Sequence, residues 1–237
     1  MRLLAWNILH GGGVRVPAIV EEIAAYDPDI IALTGFRIDR GTELPAALKD
    51  RGWPYVETSN PTEKVNGIAV FSRGPLRRRD CPAPPGDHFR WLDLDLPGDG
   101  FGLGVLQIMA ATGGAKHVAK KRFWDAVLEA AAARLHEPFL FAGAWNTGAH
   151  GLDEKGKTFV CAEHFRRLSA MGWTDLWRRD HPGLTEWTWR SHQGNGFRVD
   201  HAFASPLLLP RVRSCRYSHR EREARISDHS IVIVEIE

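Results

Sequence analysis

Residues 67–109 decide the fold, because three strand-like runs follow one another there: GIAVF (67–71), FRWLDLDL (89–96) and LGVLQIM (103–109). The first run is continuously apolar, as in a strand buried on both faces, and the other two alternate between apolar and polar residues. No helical pattern separates them. Strands in consecutive runs favour layered sheets with antiparallel pairs over the regular strand–helix alternation of a doubly wound fold.

Further strands and helices flank these runs on both sides. Apolar segments bounded by glycine, proline or asparagine predict strands at Leu3–Leu9, Asp29–Leu33, Phe139–Phe141, Trp187–Trp189, Val199–Ala204 and Ser230–Ile236. Apolar residues at helical spacing and terminal prolines or glycines predict helices at Pro17–Tyr26, Lys120–Leu135 and Thr158–Met171. No segment of low complexity divides these elements, so we expect one α/β domain over residues 1–237.

Composition narrows the classes of function. The chain has 237 residues, of which 43% are hydrophobic and 25% charged, and its net charge is only +2. It is therefore not a polybasic nucleic-acid binder as a whole. Its three cysteines lack the spacing of a zinc site. The N-terminal apolar run is too short for a signal peptide, and no segment approaches membrane length, so we expect a cytoplasmic protein without a membrane partner.

Polar residues end or follow several of the predicted strands. They are Asn7, Asn146, Asp200, Asp228 and His229. An Asp-His pair taken singly is more often a surface or capping feature than a catalytic one. Because a rigid scaffold commonly carries functional side chains at its strand ends and loops, we expect these five to converge on one site.

Taken together, these segments resemble the endonuclease/exonuclease/phosphatase superfamily over nearly the whole chain. The matched motifs are Trp6-Asn7, PDIIALTG (28–35), GIAVFSR (67–73), Gly143-Ala144-Trp145-Asn146, Thr188-Trp189, Arg198-Val199-Asp200-His201 and Ser227-Asp228-His229. The resemblance implies a DNase I-like, four-layer α/β/β/α sandwich. It also implies that Asn7, Asn146, Asp200, Asp228 and His229 occupy the positions of the family's active site.

Three positions depart from the family pattern. Gly35 stands where the family has its metal-binding glutamate, and Ala144 stands where it has the aspartate that orients the attacking water. Met109 occupies the position of a histidine or tyrosine that assists at the phosphate. Each departure replaces a polar or charged group with a smaller or more apolar one.

These losses change the expected chemistry. Mg²⁺ is held by oxygen ligands, typically one or two carboxylates together with water and substrate phosphate. With Gly35 in the glutamate position, Asp228 and the neutral Asn7 are the only matched metal ligands left, so we expect neither a dedicated metal nor another cofactor. Losing the water-orienting carboxylate should lower the rate by about 10²–10⁴. An efficient magnesium-dependent nuclease is therefore not expected.

The retained pair favours a different chemistry. In the family the residues matching Asp200 and His229 are hydrogen-bonded, and a carboxylate fixes the tautomer of an imidazole and raises its basicity. We therefore predict metal-independent acid/base catalysis by His229 and Asp200, assisted by Asn7, Asn146 and Asp228, on a small organic substrate. The residues expected to contact that ligand are Trp6, Gly35, Met109, Ala144 and Trp145.

Two other functions stay open. A metal-dependent phosphodiesterase or nuclease requires another carboxylate in place of the lost one, and Asp39, Glu43 and Asp153 are the nearby candidates. A non-catalytic binding protein that kept the fold is the third alternative. Nucleic acid ranks below a small molecule as the partner, because the three departures make the pocket less negative and more apolar. The ranking is close, since fold resemblance alone does not specify function.

Three basic clusters complete the candidate sites. The stretch 211–225 carries six arginines just before the Asp228-His229 pair and could steer an anionic ligand. Arg77-Arg78-Arg79 is interpreted as a solvated loop. Lys116 and Lys120, at the start of a predicted helix, are interpreted as solvated lysines.

Overall fold

The computed structural model describes residues 1–111, 113–155 and 159–237. Its strands are β1 (Arg2–Asn7), β2 (Ile30–Phe36), β3 (Tyr55–Thr58), β4 (Gly67–Ser72), β5 (Arg77–Arg78), β6 (Trp91–Leu96), β7 (Phe101–Gln107), β8 (Phe139–Ala144), β9 (Thr174–Asp175), β10 (Trp189–Arg190), β11 (Gly196–Phe197), β12 (Asp200–Ala204), β13 (Val212–Ser218) and β14 (Ile231–Ile236). Its α-helices are α1 (Val16–Tyr26), α2 (Leu44–Asp50), α3 (Gly114–Ala133), α4 (Ala162–Ala170), α5 (Leu176–Asp180) and α6 (Arg220–Glu223).

The strands form two six-stranded sheets and one two-stranded ribbon within these residues. The first sheet has the order β13-β14-β1-β2-β4-β3, and the second has the order β5-β6-β7-β8-β12-β9. The pairs β1–β2 and β7–β8 are parallel, and the other pairs are antiparallel. The ribbon pairs β10 with β11. The consecutive strands 67–107 thus lie in both sheets, as layered packing requires.

Alternation along each central strand explains the layering. On β1, Leu3 and Ala5 belong to the core between the sheets, whereas Leu4 and Trp6 belong to the core beneath α1. Successive side chains of a strand point to opposite faces, so a strand covered on both faces must be apolar throughout. Each fully buried large apolar side chain contributes about 1.5–3 kcal/mol, so both faces need a cover.

The helices supply that cover on the two outer faces. On α1, Ile19, Val20 and Ile23 recur at helical spacing and pack on the first sheet. On α3, the cluster around Phe123, Trp124 and Val127 packs on the second sheet together with α4. The result is a four-layer α/β/β/α sandwich, and the predicted fold class is confirmed.

Several predicted boundaries need correction. Helix α3 begins at Gly114 rather than Lys120, and strand β7 ends at Gln107, so Met109 lies beyond it. Helix α4 begins at Ala162, and Thr158, the expected start, lies outside the described residues. Strand β8 continues to Ala144, where a loop was expected. These errors arise because side-chain periodicity weakens at element ends, where backbone partners decide.

Short and edge elements were missed altogether. The arginine-rich stretch contains β13, an edge strand that pairs only with β14 and leaves polar side chains outside. Arg77 and Arg78 form the edge strand β5 rather than a loop, and they make ion pairs with Asp95 and Glu57. Charged edge strands lack apolar alternation on a buried face, so their sequences do not resemble strands.

No helix among the described residues is long and apolar enough to cross a membrane.

Candidate active site

Three strand ends bring the predicted catalytic residues together. Asn7 ends β1, and His229 lies two residues before β14, which pairs with β1 in antiparallel register. Asp200 begins β12 in the opposite sheet, next to Ala144 of β8. A contact between His229 and Asp200 therefore joins the two sheets at one end of the sandwich.

The contact between Asp200 and His229 is a buried hydrogen bond. His229 Nδ1 lies 2.8 Å from Asp200 Oδ2 and 3.0 Å from Oδ1, and the two residues are 7% and 3% exposed. An ionised carboxylate can only accept, so the proton between them belongs to His229 Nδ1. This arrangement leaves Nε2 as the nitrogen available for proton transfer.

Asn7 holds the other ring nitrogen. The backbone N–H of Leu9 donates to Asn7 Oδ1 at 3.1 Å, and this bond fixes which way the amide faces. Asn7 Nδ2 therefore faces His229 Nε2, at 3.3 Å. An amide N–H can only donate, so the neutral imidazole accepts at Nε2 and donates at Nδ1. Both neighbours select the same tautomer.

The charge balance at His229 favours protonation. Burial disfavours the imidazolium, but the Asp200 carboxylate outweighs it through charge and hydrogen bonding, and Asp228 adds to this attraction. The pKa of His229 is consequently raised above its ordinary value. An imidazole that is readily protonated is suited to take up a proton and return it.

Neighbouring polar groups hold this pair in place. Trp6 Nε1 donates to the carbonyl of His229 at 3.0 Å, and the Ser227 hydroxyl donates to the carbonyl of Asn7 at 2.5 Å. The Thr188 hydroxyl accepts from the backbone N–H of Asp200 at 3.2 Å. Tyr217, which sequence reasoning missed, donates its hydroxyl to the Asp200 carbonyl at 2.8 Å. The amphipathic edge strand that carries it offered no signal.

Asp228 precedes His229 in the chain, and one of its two carboxylate oxygens is hydrogen-bonded. Trp189 Nε1 donates to Asp228 Oδ2 at 3.0 Å. The second oxygen, Oδ1, is buried and has no hydrogen-bond partner among the described residues. An unsatisfied buried acceptor is costly, so a small rotation of the carboxylate that lets a ligand donate to this atom would be favourable.

Gly35 occupies a backbone conformation that suits glycine. Its φ is +70°, at the irregularity where the pairing of β2 with β4 shifts between Thr34 and Phe36. A Cβ at this position would lie 2.6 Å from Asn7 Oδ1. The N–H of Gly35 donates to Gln107 Oε1 at 3.2 Å, a bond between the two sheets. Gln107, a polar residue ending an otherwise apolar strand, was not selected from the sequence.

The side chain of Asn146 is hydrogen-bonded to the backbone just beyond β7. Its Nδ2 donates to the carbonyl of Ile108 at 2.7 Å, and the described residues show no hydrogen bond from its side chain to Asp200 or His229. Its own carbonyl accepts from Lys120 Nζ at 2.5 Å. The convergence of Asn146 with Asn7, Asp200, Asp228 and His229 therefore stays a prediction.

Two aromatic residues expected to contact a ligand are buried instead. Trp145 is 0% exposed, packs in the core beneath α3, and donates its Nε1 to the carbonyl of His201. Trp6 is 2% exposed in the core beneath α1, where it holds the backbone of His229. Both indoles are enclosed by protein atoms, so neither presents a free surface to a ligand in this structure. Ala144 is also fully buried, and Met109 is half-buried after β7.

Lys120 is buried rather than solvated. It lies inside α3 and is 2% exposed. Burial lowers its pKa to about 8. The expectation for Lys120 was wrong because the helix begins six residues earlier and turns this side chain towards the second sheet, whereas Lys116 is exposed.

A cavity of about 580 Å³ opens beside Asp228. Its lining residues are Leu9, Arg15, Arg190, Arg222, Glu223, Arg225, Ser227 and Asp228. Of the six arginines in the stretch 211–225, only Arg222 and Arg225 line this cavity, together with Glu223. The other two arginines of the cavity are Arg15, which lies just before α1, and Arg190, which lies in β10 of the ribbon.

The residues at this site do not fit a dedicated site for a divalent metal. Asp228 Oδ1 is the one buried carboxylate oxygen without a partner here, and Asn7 Oδ1 already accepts from Leu9. Among the described residues, no three His, Cys, Asp or Glu side chains converge on one point. Four arginines line the adjoining cavity, and their positive charge repels a dication.

The three carboxylates considered as substitutes for the lost ligand are engaged elsewhere. Asp153 is fully buried between Arg198 and Arg178. The Asp39 carboxylate accepts two hydrogen bonds from the guanidinium of Arg37, one from Nε and one from Nη2. Glu43 lines a separate cavity next to α1 and α2. None of them lines the cavity beside Asp228.

Comparison with known proteins identifies the family. The sandwich and the polar residues at its end define a DNase I-like protein. A model of the endonuclease/exonuclease/phosphatase family matches residues 4–229, so the chain belongs to that family. No curated protein sequence matches this chain significantly.

Solved structures share the fold at low sequence identity. One is a variant of the 3′ phosphatase NExo from Neisseria, bound to a product DNA hairpin. It is 23% identical with a TM-score of 0.85, and the match covers 100% of this chain and 99% of the NExo chain. An AP endonuclease from Archaeoglobus fulgidus is 17% identical with a TM-score of 0.87 and the same coverage. The 3′-5′ exonuclease NExo from Neisseria meningitidis is 23% identical with a TM-score of 0.85 and full coverage of both chains.

Proposed function

We propose that this protein is an acid/base enzyme that transforms a small organic substrate without a dedicated metal ion. The observation that carries the proposal is the buried hydrogen-bonded series Asp200–His229–Asn7, which leaves one defined nitrogen for proton transfer. Family membership supports a catalytic role in general, because the family name covers nucleases and phosphatases. The donor set around Asp228 favours chemistry that does not depend on metal coordination.

The proposed reaction uses His229 as a reversible proton carrier. A substrate X–H displaces the Asn7 amide from Nε2, a bond of 3.3 Å and therefore a weak one. Nε2 then accepts the proton, which leaves X⁻ and an imidazolium. Asp200 stabilises that positive charge through the hydrogen bond at Nδ1. The imidazolium later returns the proton to the product, so protons balance over the cycle.

The test is a substrate screen in the presence of a chelator. The protein is incubated with a library of small organic metabolites in EDTA, and consumption is followed by mass spectrometry. We expect His229→Ala to lower any activity by at least ~10². Asp200→Asn should cost less, because an amide oxygen still accepts from Nδ1. His192→Ala, which changes an exposed histidine on a turn, is the matched control and should leave activity unchanged.

A metal-dependent phosphodiesterase or nuclease is the second candidate. Family membership and the unpartnered Asp228 Oδ1 favour it, and one structural neighbour is described as bound to DNA. Activity that disappears in EDTA, returns with Mn²⁺ and acts on a phosphodiester would select this candidate. Binding of a library member without turnover would instead indicate a non-catalytic protein.

A further inference from the structure

The arginine cavity, defined as the space lined by Arg15, Arg190, Arg222 and Arg225, adjoins the candidate active site. Asp228 and Ser227, the two residues before His229, form part of its wall. Its volume of about 580 Å³ lies within the range of small-molecule sites. The cavity is therefore placed to hold a part of the substrate that does not react.

Three of the four arginines, Arg190, Arg222 and Arg225, have side-chain donors without a hydrogen-bond partner among the described residues. Arg222 Nε and Nη1 are buried and have no hydrogen-bond partner among the described residues. Within the part of the chain that the structure describes, the Arg190 side chain donates to the carbonyl of Gly194 alone, at 3.3 Å and within its own turn. Arg15, in contrast, is fixed by the backbone carbonyls of Ile226, Ile8 and Leu9 and acts as a rigid wall. Buried donors without acceptors are costly, and a rotation of the Arg222 side chain would turn these donors towards a ligand in the cavity.

Like charges crowd the same space. Burial and the neighbouring charge of Arg190 lower the pKa of Arg222. Four arginines line the cavity against the two carboxylates Glu223 and Asp228. The wall therefore carries two positive charges in excess, which match a dianion.

We propose that the arginine cavity binds the phosphate-type dianion of a phosphorylated small molecule. A phosphate monoester carries a charge of about −1.5 to −2 and three acceptor oxygens, and arginine presents its donors as a planar fork suited to such groups. Asp228 Oδ1 accepts a hydroxyl of the same molecule, which places that part of the ligand next to His229. Phosphate binding in the arginine cavity does not depend on the proposed function; only the reaction of the part of the ligand next to His229 rests on it.

The test measures anion binding directly. Calorimetry of the intact protein uses inorganic phosphate, phenyl phosphate, benzoate and a short single-stranded oligonucleotide without terminal phosphate. We expect both phosphates to bind more tightly than benzoate and the oligonucleotide. Arg222→Gln and Arg190→Gln should each weaken phenyl phosphate binding at least ~10-fold. Arg213→Gln is the matched control, because Arg213 lies outside the cavity and pairs with Glu237 at the surface.

Each outcome decides the proposal. An equal loss of phenyl phosphate affinity in the Arg222 and Arg213 variants overturns it, and so does the absence of phosphate binding by the parent protein. Tight binding of the unphosphorylated oligonucleotide with weak phosphate binding overturns it in favour of a nucleic-acid backbone site. Two independent cavity variants, each checked by its thermal unfolding, separate lost binding from lost folding. His229→Ala should keep phenyl phosphate binding, so failure of the acid/base proposal leaves this result intact.

Discussion

Replacing Gly35 with alanine tests how the site is built. At φ +70° an L-residue costs about 1–2 kcal/mol in backbone strain alone. The added Cβ would also lie 2.6 Å from Asn7 Oδ1, so the Asn7 side chain must move. Moving it breaks the bonds to Leu9 and His229, each worth about 0.5–1.5 kcal/mol. The same strain opposes Gly35→Glu, which would restore the family's glutamate.

Gly100→Ala is the matched control for this substitution. Gly100 has φ +69°, and an added Cβ would meet nothing within 4 Å. The two variants therefore share the backbone strain, and only Gly35→Ala disturbs Asn7. We expect Gly35→Ala to be less stable than Gly100→Ala by about 1–3 kcal/mol. In a protein of this size, that difference lowers the melting temperature by about 2–12 °C.

Calorimetric unfolding measures the stability difference, and long-range ¹H–¹⁵N NMR of the histidine rings measures the effect on the site. The Nε2 resonance of His229, assigned with His229→Gln, should shift in Gly35→Ala and stay unchanged in Gly100→Ala. Equal stabilities, together with an unchanged His229 resonance in both variants, would show that Gly35 does not position Asn7. In that event the tautomer assignment at His229 would rest on the hydrogen bond to Asp200 alone.

Three further predictions concern metal binding and pH. Calorimetry with Mn²⁺ should show no tight stoichiometric site, and a tight site that Asp228→Asn removes would contradict the donor-set reasoning. The raised pKa of His229 contributes stability that is fully present below the unfolded-state pKa of about 6.5 and is lost as pH rises through the folded-state pKa. The difference in unfolding free energy between the parent and His229→Gln should therefore shrink as pH rises, and a difference that grows would reverse the inferred sign. The pKa of Lys120 is lowered from 10.5 to about 8. The unfolding free energy of the parent should therefore rise by up to about 3 kcal/mol relative to that of Lys120→Met between pH 8 and 10.5. Parallel stability profiles of these two proteins over that range would show that Lys120 titrates normally.

The fold was predictable because its central strands are covered on both faces. Strands such as β2 and β4 are apolar at nearly every position, and helix α1 is apolar at helical spacing. Both patterns are local and survive in the sequence. The motifs at the strand ends added the family, and with it the pairing of Asp200 with His229. Edge elements such as β13 carry no such pattern, because only one neighbouring strand and a partly exposed face constrain them.

The sequence by itself determined the layered α/β architecture and the identity of the residues Asn7, Asp200, Asp228 and His229 at the strand ends. Only the tertiary structure decided which way each side chain faces. Asn146 donates to Ile108 and Trp145 enters the core, because the backbone turns away from the strand after β8 ends at Ala144. The arginine cavity likewise assembles from the segments around Arg15, Arg190 and Arg222, which are distant along the chain. Their charges interact because the folded chain brings these arginines close together, and the spacing of the residues along the sequence does not predict that proximity.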